Sequence, residues 1–414
     1  MNVTKVNNVI DLSEGTEGGK QQDSSQIQQT LPFPINILVI CSESAHQLQL
    51  SAHFSKIKNL HIEFIKNIPE KIALFELVLI VSTDDIITTQ NTIEKIANEG
   101  VTIILLGDNI NSKIIRTAMQ FHVRDIISFE SFEQDIFNSL NLCANEVLSK
   151  RKIAPVITVI NGKSGSGASF ITGCLGEIIA DLCSDEIVLI DADLHYGSLA
   201  DSLKLETNYF LSDALDDIDQ LDNTAIKSMM TRRKNLSLLA SKSYAQLETE
   251  RNKNFIHLEP LLWKIKLNHD LVLGDLSCGL ETLTLPMISL SKHILIVVQQ
   301  NIVSLRETKA LLEQLIKIMN VDIDNIKIIV NRYSNKVSNI KLDDIKKVLG
   351  INVVFCVSNN YQLASACTDL GSPLSKLSEN KTIHNEICSI IEHIYPIASI
   401  PEKVGLFKRI FGRL

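Results

Sequence analysis

One stretch, 156–182, constrains the fold of this chain more than any other part of the sequence. The apolar run Val156 to Ile160 leads into a glycine-rich segment, and a helical run from Phe170 to Leu182 follows. A strand, a glycine-rich loop and a helix in this order bring backbone N–H groups and a helix N-terminus around a phosphate chain. The sequence therefore predicts a phosphate-binding loop within a parallel α/β sheet.

The predicted loop departs from the usual phosphate-loop pattern, G-x-x-x-x-G-K-[ST], at one position. Gly162, Gly167 and Ser169 match that pattern, but Ala168 occupies the lysine position. Taken alone, the segment is also compatible with an ordinary turn rich in glycine and serine. The residues that we expect to surround the ligand are Gly162, Lys163, Ser164, Gly165, Ser166, Gly167, Ala168, Ser169 and Phe170.

Three aspartates follow or end apolar strand candidates of the same domain. Asp191 and Asp193 come directly after the run Ile187 to Ile190, and Asp275 ends the run that starts at Leu271. Carboxylates at the carboxyl end of a strand can hold Mg²⁺ and its waters or orient an attacking water. A single strand-end aspartate is as often a helix cap. Their order after the loop favours a nucleotide site.

Length and charge limit the class of protein. A chain of 414 residues exceeds one ordinary domain, and its net charge of −8 argues against nonspecific binding of DNA by the whole surface. The eight cysteines include no C-x-x-C pair, which is typical of reduced thiols. No apolar run reaches the roughly 20 residues of a membrane-spanning helix. We therefore expect a cytoplasmic protein.

The order of strand and helix candidates predicts four segments. They are a disordered leader at 1–33, a flavodoxin-like α/β domain at 34–150, a larger doubly wound domain at 151–400 and a basic amphipathic tail at 401–414. The second domain has seven strand candidates, at 156–160, 187–190, 236–239, 271–275, 294–298, 326–330 and 352–356.

These motifs together resemble one protein family. The run Lys163 to Ser169 resembles the deviant Walker A loop, K-G-G-x-G-K-[ST], of MinD/ParA-type ATPases. Asp191 to Gly197 is similar to the D-x-D strand end of that family, and Asn331-Arg332 resembles its Asn-Arg element near the adenine. A loop with Ala168 in place of the later lysine is most similar to the TadZ/CpaE branch, the pilus-assembly ATPases.

The resemblance implies a set of roles for these residues. Lys163 would reach the partner's phosphates across a nucleotide-dependent homodimer, and Asp191 and Asp193 would join it in the catalytic set. Ser169, Asp191 and Asp275 would hold Mg²⁺, and Asn331 and Arg332 would contact the bound ATP. Because Ala168 removes a cation from the β- and γ-phosphates, hydrolysis is expected to suffer more than binding. At most a slow ATPase is therefore expected.

The TadZ/CpaE branch also carries a receiver-like domain ahead of its ATPase domain. In this chain the strand candidate Leu77 to Ile80 ends in Val81-Ser82, with no aspartate at the phosphoacceptor position. Asp84 and Asp85 lie further on, where helix caps are expected. We therefore expect a receiver-like domain that is not phosphorylated and serves in interaction or localisation, with a plain scaffold as the alternative.

The tail has an apolar face and a cationic face. Val404, Phe407 and Ile410 recur at helical spacing, with Lys403 and Arg409 among the positions between them. Such a helix suits an anionic membrane surface, at the inner membrane or a cell pole, or an acidic partner groove. A helix that docks on its own domain or frays is the alternative.

Three functions remain open at this stage. The first is an ATP-binding, dimerising localisation factor for a tight-adherence (Flp/type IVb) pilus or a secretion system. The second is an active MinD/ParA-like ATPase in partition or division-site positioning. The third is a scaffold that binds no nucleotide. ATP-dependent dimerisation, steady hydrolysis and failure to bind nucleotide would distinguish the three.

Overall fold

The computed structural model describes residues 29–66, 69, 72, 75–244, 247, 257–336, 340–370 and 381–397. By their internal contacts, the residues form two compact units. The first runs from Ile37 to Asn138, with the residues up to Leu31, and the second comprises Pro32–Asn36 and Ser139 onward. The division falls inside a helix, before the boundary at 150 that the sequence predicts. The predicted tail, 401–414, lies outside the described residues.

The first unit is built on a five-stranded sheet of order β2-β1-β3-β4-β5, in which β3 pairs in parallel with β1 and β4, and β4 with β5. This order is that of flavodoxin-like doubly wound sheets. Its elements are β1 (Gln29–Ile40), α1 (Ser44–Phe54), β2 (Ile57–Ile65), β3 (Leu77–Val81), α2 (Ile86–Asn98), β4 (Thr102–Leu106), α3 (Ser112–Gln120), β5 (Asp125–Ile127) and α4 (Phe132–Lys150), the last of which continues into the second unit.

Strand β1 begins at Gln29, so the predicted leader, 1–33, ends too late. Leu31, Phe33 and Ile35 are buried, and the residues between them are exposed or half-buried. This alternation is the signature of a strand with one face in the core. Pro32 and Pro34 lie within this strand, although proline has no N–H for a sheet ladder.

The second unit is an eight-stranded sheet of order β13-β12-β11-β6-β10-β7-β9-β8. Its strands are β6 (Val156–Asn161), β7 (Ile187–Asp191), β8 (Thr231–Arg233), β9 (Leu236–Leu239), β10 (Leu271–Leu276), β11 (Ser291–Val298), β12 (Ile326–Tyr333) and β13 (Val354–Ser358). All seven strands expected in this domain are present. The sequence missed β8, a short edge strand that pairs antiparallel with β9.

The helices of this unit are α5 (Ala168–Leu182), α6 (Leu199–Leu203), α7 (Leu211–Asp216), α8 (Asn223–Ser228), α9 (Leu258–Asn268), α10 (Leu285–Ser289), α11 (Ile302–Lys317), α12 (Leu342–Leu349), α13 (Tyr361–Thr368) and α14 (Lys381–Ile394). Among the described residues, no helix combines the length and apolar character needed to cross a membrane.

The strand β6 is buried on both faces of the sheet. Val156 and Ile160 belong to one hydrophobic cluster, and Ile157 and Val159 belong to a second cluster on the other face. Continuous burial of this kind is typical of a parallel strand covered by helices on both sides. Because β6 lies between β10 and β11, the chain crosses to opposite sides of it, and such a switch point is where doubly wound sheets bind ligands.

Candidate nucleotide site

The glycine-rich loop joins the end of β6 to the start of α5, as the sequence predicts. Gly165 and Gly167 adopt the left-handed conformation, with φ values of +79° and +107°. At Gly162 an added Cβ would lie 2.1 Å from Thr308 Oγ1, and at Gly167 it would lie 2.3 Å from Asn331 Nδ2. Glycine is therefore required at Gly162 by close packing and at Gly167 by both packing and backbone conformation.

Side chains from neighbouring strands hold the carbonyl side of the loop. Asn331 Nδ2 donates to the Ser166 carbonyl at 2.8 Å, and Gln299 Nε2 donates to the Gly165 carbonyl at 3.1 Å. Within the loop, Ser166 Oγ donates to the Lys163 carbonyl at 2.6 Å. These contacts fix the loop without using its remaining backbone N–H groups.

Several of those N–H groups lack an acceptor. Within the described part of the chain, the backbone N–H groups of Gly165, Gly167 and Ser169 donate to no protein group. The Ala168 N–H donates to Asn161 Oδ1 at 3.0 Å. Unsatisfied N–H groups at a helix N-terminus form an anion-binding site, and the helix dipole also favours negative charge there. The geometry of the loop suits a phosphate.

Asn331 and Arg332 differ in burial and in what their side chains contact. Asn331 is buried, and its amide is used twice, because Nδ2 contacts the loop and Oδ1 accepts from the Arg332 N–H at 2.9 Å. Arg332 is exposed and has a φ of +54°. The structure thus gives Asn331 a role in bracing the loop, which the sequence did not reveal.

Two buried carboxylates lie side by side next to the loop. Asp191 on β7 and Asp275 on β10 are paired residues in the sheet register, and both are fully buried. Asp191 accepts the N–H groups of Asp193 and Leu199 at 3.1 and 3.0 Å. Burial nevertheless raises the pKa of Asp191 from 3.8 to about 7, with these two bonds opposing the rise.

Asp275 is the least satisfied group of the site. Neither carboxylate oxygen makes a hydrogen bond of acceptable geometry. Burial, with repulsion from Asp191, raises the pKa of Asp275 well above its usual value, although the nearby hydroxyls of Ser169 and Ser277 lower it in part. A buried carboxylate without a donor is costly, so it indicates a missing cation or proton. The donor set of Ser169 and Asp275 fits Mg²⁺, which takes few protein ligands beside phosphates.

No group of three or more His, Cys, Asp and Glu residues in the described ranges has the arrangement of a metal site by itself. This finding concerns sites that are built from protein side chains alone. It does not conflict with a Mg²⁺ ion shared between one or two carboxylates, a hydroxyl and phosphate oxygens.

The remaining predicted loop residues divide into exposed and buried positions. Lys163 and Ser164 are exposed. Ala168 is fully buried and belongs to the same cluster as Ile157, while Phe170 packs against that cluster. A lysine at Ala168 would provide a cation beside the loop, and the buried methyl group provides none.

Asp193 joins two loops. Its Oδ1 accepts the N–H groups of His195 and Tyr196, both at 3.0 Å, and its Oδ2 accepts Ser277 Oγ at 2.8 Å. The loop after β7 is thereby tied to the loop after β10. Of the charged residues expected at the site, the structure brings Asp191, Asp193 and Asp275 together.

His195 lies in the loop after β7, and Cys278 lies in the loop after β10. Burial raises the pKa of the Cys278 thiol to about 12 and keeps it protonated. His195 has a partner that the sequence did not reveal, since its Nε2 lies 2.6 Å from Glu281 Oε1. The two residues are 86 positions apart, so no local pattern could have linked them.

The arginines at 232–233 are ion-paired. Arg232 contacts Glu186 at 2.6 Å, and Arg233 contacts Glu177. Neighbouring acids therefore neutralise the basic run at the β8 edge.

Known proteins have a fold similar to that of the second unit. A crystal structure of a ParA family ATPase from Chlorobium tepidum TLS superposes with a TM-score of 0.53 and 22% identity, over 58% of this chain and 99% of that one. The chain contains the fold of a ParA family ATPase. In sequence, it is 26% identical over 226 residues to a septum site-determining protein MinD of Emiliania huxleyi, covering 53% of this chain and 79% of that protein.

Another structure, the septum site-determining protein MinD of Pyrococcus horikoshii OT3 complexed with Mg-ADP, has a TM-score of 0.49 and 18% identity, over 59% of this chain and 96% of that one. No family profile matches the chain. The ParA-type fold accounts for the strand–loop–helix segment at the switch point of the sheet.

Proposed function

We propose that this protein binds ATP with Mg²⁺ at the loop 162–170 and dimerises in response, as a localisation factor with weak or absent hydrolysis. The observation that carries the proposal is the coincidence of unsatisfied N–H groups on Gly165, Gly167 and Ser169 with the unsatisfied carboxylate of Asp275. The first set needs an anion and the second needs a cation. A nucleotide with its Mg²⁺ ion supplies both charges at once.

The residues of the chain divide the binding between them. The loop N–H groups and the first turn of α5 bind phosphate oxygens. Ser169 and the carboxylates of Asp191 and Asp275 would hold Mg²⁺, which would supply neutralising charge to the phosphates. Arg332, exposed at the end of β12, contacts the nucleotide, and Asn331 holds the loop in shape.

Weak hydrolysis follows from the loop. Ala168 is buried and uncharged, so no side chain at that position stabilises the charge that develops on the transferred phosphoryl group. Asp191 and Asp193 are the residues that we propose to orient the attacking water. Lys163 is exposed and is available to reach the phosphates bound by a second copy of the chain.

The finer proposal is a TadZ/CpaE-type role in assembly of a tight-adherence (Flp/type IVb) pilus or a secretion system. The flavodoxin-like strand order of the first unit supports a receiver-like domain ahead of the nucleotide-binding unit. Strand β3 of that unit ends before Ser82, where a receiver has its phosphoacceptor aspartate. We propose that this domain recognises pilus or secretion proteins, and that the tail at 403–414 provides peripheral contact with the inner membrane or a cell pole.

A second candidate is an active MinD/ParA-like ATPase in partition or division-site positioning. The sequence similarity to a MinD protein and the intact Asp191, Asp193 and Asp275 favour it. Steady ATP hydrolysis stimulated by lipid or DNA would support this candidate over the first.

The experiment is the oligomeric mass of the full chain with Mg²⁺, with ATP, ADP or no nucleotide. We expect a dimer with ATP alone, and a monomer with ATP for Lys163→Ala. The matched control is Lys317→Ala, which removes another exposed lysine, on α11, and is expected to dimerise like the native chain. The same mass for the native chain under every condition would contradict the proposal and favour a scaffold.

A further inference from the structure

His195 contacts three loops at the carboxyl edge of the second sheet. Its N–H donates to Asp193 Oδ1 at 3.0 Å within the loop after β7. Its carbonyl accepts the Tyr244 N–H at 3.0 Å from the loop after β9. Its side-chain Nε2 lies 2.6 Å from Glu281 Oε1 in the loop after β10. One residue therefore connects the loops after β7, β9 and β10.

The loop that carries His195 is closely held on its other side. At Gly197 an added Cβ would lie 2.4 Å from the Ser241 carbonyl oxygen, so the two backbones touch. Ser243 Oγ donates to the Tyr196 carbonyl at 2.8 Å. Tyr244 has a φ of +62°, a conformation that costs energy for a side chain of this size and that persists only where the surroundings enforce it.

Three side-chain links join the loop after β7 to the loop after β10 in the described residues. They are the hydrogen bond from Ser277 to Asp193, the contact between His195 and Glu281, and a long hydrogen bond of 3.8 Å from Cys278 Sγ to the Ala192 carbonyl. The side chains of His195 and Glu281 are 36% and 23% exposed, so the pair is partly shielded from water. A short contact that is partly shielded is stronger than an exposed surface pair.

The two loops that His195 and Glu281 connect lie beside the carboxylates of the candidate site. One loop follows Asp191 and carries Asp193, and the other follows Asp275. In nucleotide switches, loops beside the terminal phosphate and its Mg²⁺ change their order when the phosphate is gained or lost. Loops that are linked to each other must respond together, whereas separate loops can respond one at a time.

We propose that His195 is a positioning residue that, through Glu281, fastens the loop of Asp193 to the loop after Asp275. The pair makes the two loops a single element that distinguishes ATP from ADP. The part that concerns nucleotide discrimination rests on the proposed function, and the fastening itself does not.

The test begins with hydrogen exchange of the nucleotide-free full chain. Glu281→Ala is expected to speed exchange of the amides at 193–199 by about tenfold, although the substitution lies on the other loop, because the loss of the bond frees both loops. His195→Ala is expected to speed exchange at 277–281 to a similar extent, and the double variant is expected to add little to either. His195→Gln, which keeps a donor, is expected to restore part of the protection.

The control is Glu133→Ala in the first unit, which removes another carboxylate paired with a histidine, His53 at 3.6 Å. It is expected to leave exchange at 193–199 and 277–281 unchanged. Unchanged exchange at 193–199 in Glu281→Ala, or additive effects in the double variant, would overturn the proposal whether or not the chain binds nucleotide.

The second readout is the ratio of ATP to ADP affinity. His195→Ala and Glu281→Ala are expected to lower that ratio by about tenfold, because separate loops sense the terminal phosphate less well. Equal losses for both nucleotides would show a merely structural role and overturn the proposal. Failure of the native chain to bind either nucleotide would contradict the proposed function instead, and the exchange experiment would still decide the fastening.

Discussion

The carboxyl edges of the two sheets differ in how completely their polar groups are satisfied. In the first unit, the His46 ring stacks on Phe129 with centroids 4.4 Å apart, and the Phe129 N–H donates to Asp108 Oδ1 at 2.8 Å. In the second unit, the N–H groups of Gly165, Gly167 and Ser169 and the carboxylate of Asp275 make no hydrogen bond to the described residues. The two sheets therefore differ in what they can bind, because the second places a buried carboxylate and a set of unsatisfied loop N–H groups at one edge.

The largest effect is expected for Gly167→Ala. The new Cβ would meet Asn331 Nδ2 at 2.3 Å, and the left-handed conformation would be strained. We expect the free energy of unfolding to fall by about 3 kcal/mol and ATP binding to be lost. Chemical denaturation and calorimetric titration measure the two effects.

The control for that variant is Gly350→Ala, at the end of α12. Gly350 has a φ of +70° but open space around its Cα, so only the conformational cost of about 1 kcal/mol is expected, with ATP binding retained. Equal effects of the two substitutions would mean that the packing of the loop does not matter for binding.

Asp275→Asn is expected to stabilise the nucleotide-free chain, whereas Gly167→Ala is expected to destabilise it. The pKa values of Asp275 and Asp191 are raised by folding, so the folded state binds more protons than the unfolded state. The free energy of unfolding of the native chain is thus expected to decrease as the pH rises from about 4 through about 7. Asp275→Asn removes the buried charge. The substitution is therefore expected to raise the free energy of unfolding by about 1–2 kcal/mol at pH 8.

The same variant is expected to lose the contribution of Mg²⁺ to ATP affinity. Denaturation at pH 5 and pH 8, and ATP titration with and without Mg²⁺, measure both effects. Asp343→Asn, an exposed position on α12, serves as the control. Destabilisation by Asp275→Asn at pH 8 would contradict the assignment of Asp275 as an unsatisfied carboxylate.

A smaller effect is expected for Asn331→Ala, which removes the hydrogen bond to the Ser166 carbonyl. ATP affinity is expected to fall by about tenfold, the equivalent of one lost buried hydrogen bond. Because the residue acts on the loop, the affinities for ATP and GTP are expected to fall by the same factor. A fall confined to one of the two nucleotides would instead place Asn331 against the base, and Arg332→Ala is the matched comparison.

The smallest effect is expected in the first unit. Asp85 accepts the N–H groups of Ile87 and Thr88 and caps α2, which confirms the sequence-based expectation of a cap. Asp85→Ala is expected to lower the Tm by a few degrees, about the usual effect of a lost cap, without changing ATP affinity. Asp84→Ala is the control. A change in ATP affinity for Asp85→Ala would contradict the claim that only the carboxyl edge of the second sheet contributes to ATP binding.

Much of this architecture follows from local pattern in the sequence. The seven strands expected in the second unit are continuous apolar runs, and the glycines of the loop are required by backbone geometry that any such loop shares. Asp191, Asp193 and Asp275 could be selected from the sequence because they end or follow predicted strands, and parallel strands end at one edge of a sheet.

What the sequence did not reveal depends on contacts between distant residues. Nothing near His195 indicates Glu281, and nothing near Asn331 indicates the Ser166 carbonyl. The edge strand β8 was missed because its charged residues hide a strand of three residues, whose arginines are neutralised by Glu177 and Glu186. The start of β1 was missed because two prolines masked the alternation of Leu31, Phe33 and Ile35.

The most direct test of the central claim is a calorimetric titration of ATP into the native full chain, with Mg²⁺ and with Mg²⁺ removed by chelation. We predict saturable binding of about one nucleotide per chain in Mg²⁺. Without Mg²⁺ we predict binding that is at least about tenfold weaker, because the buried carboxylate of Asp275 then has no cation to neutralise it. No binding of ATP in either condition would contradict the claim that the unsatisfied groups of this loop and its neighbouring strand form a nucleotide site.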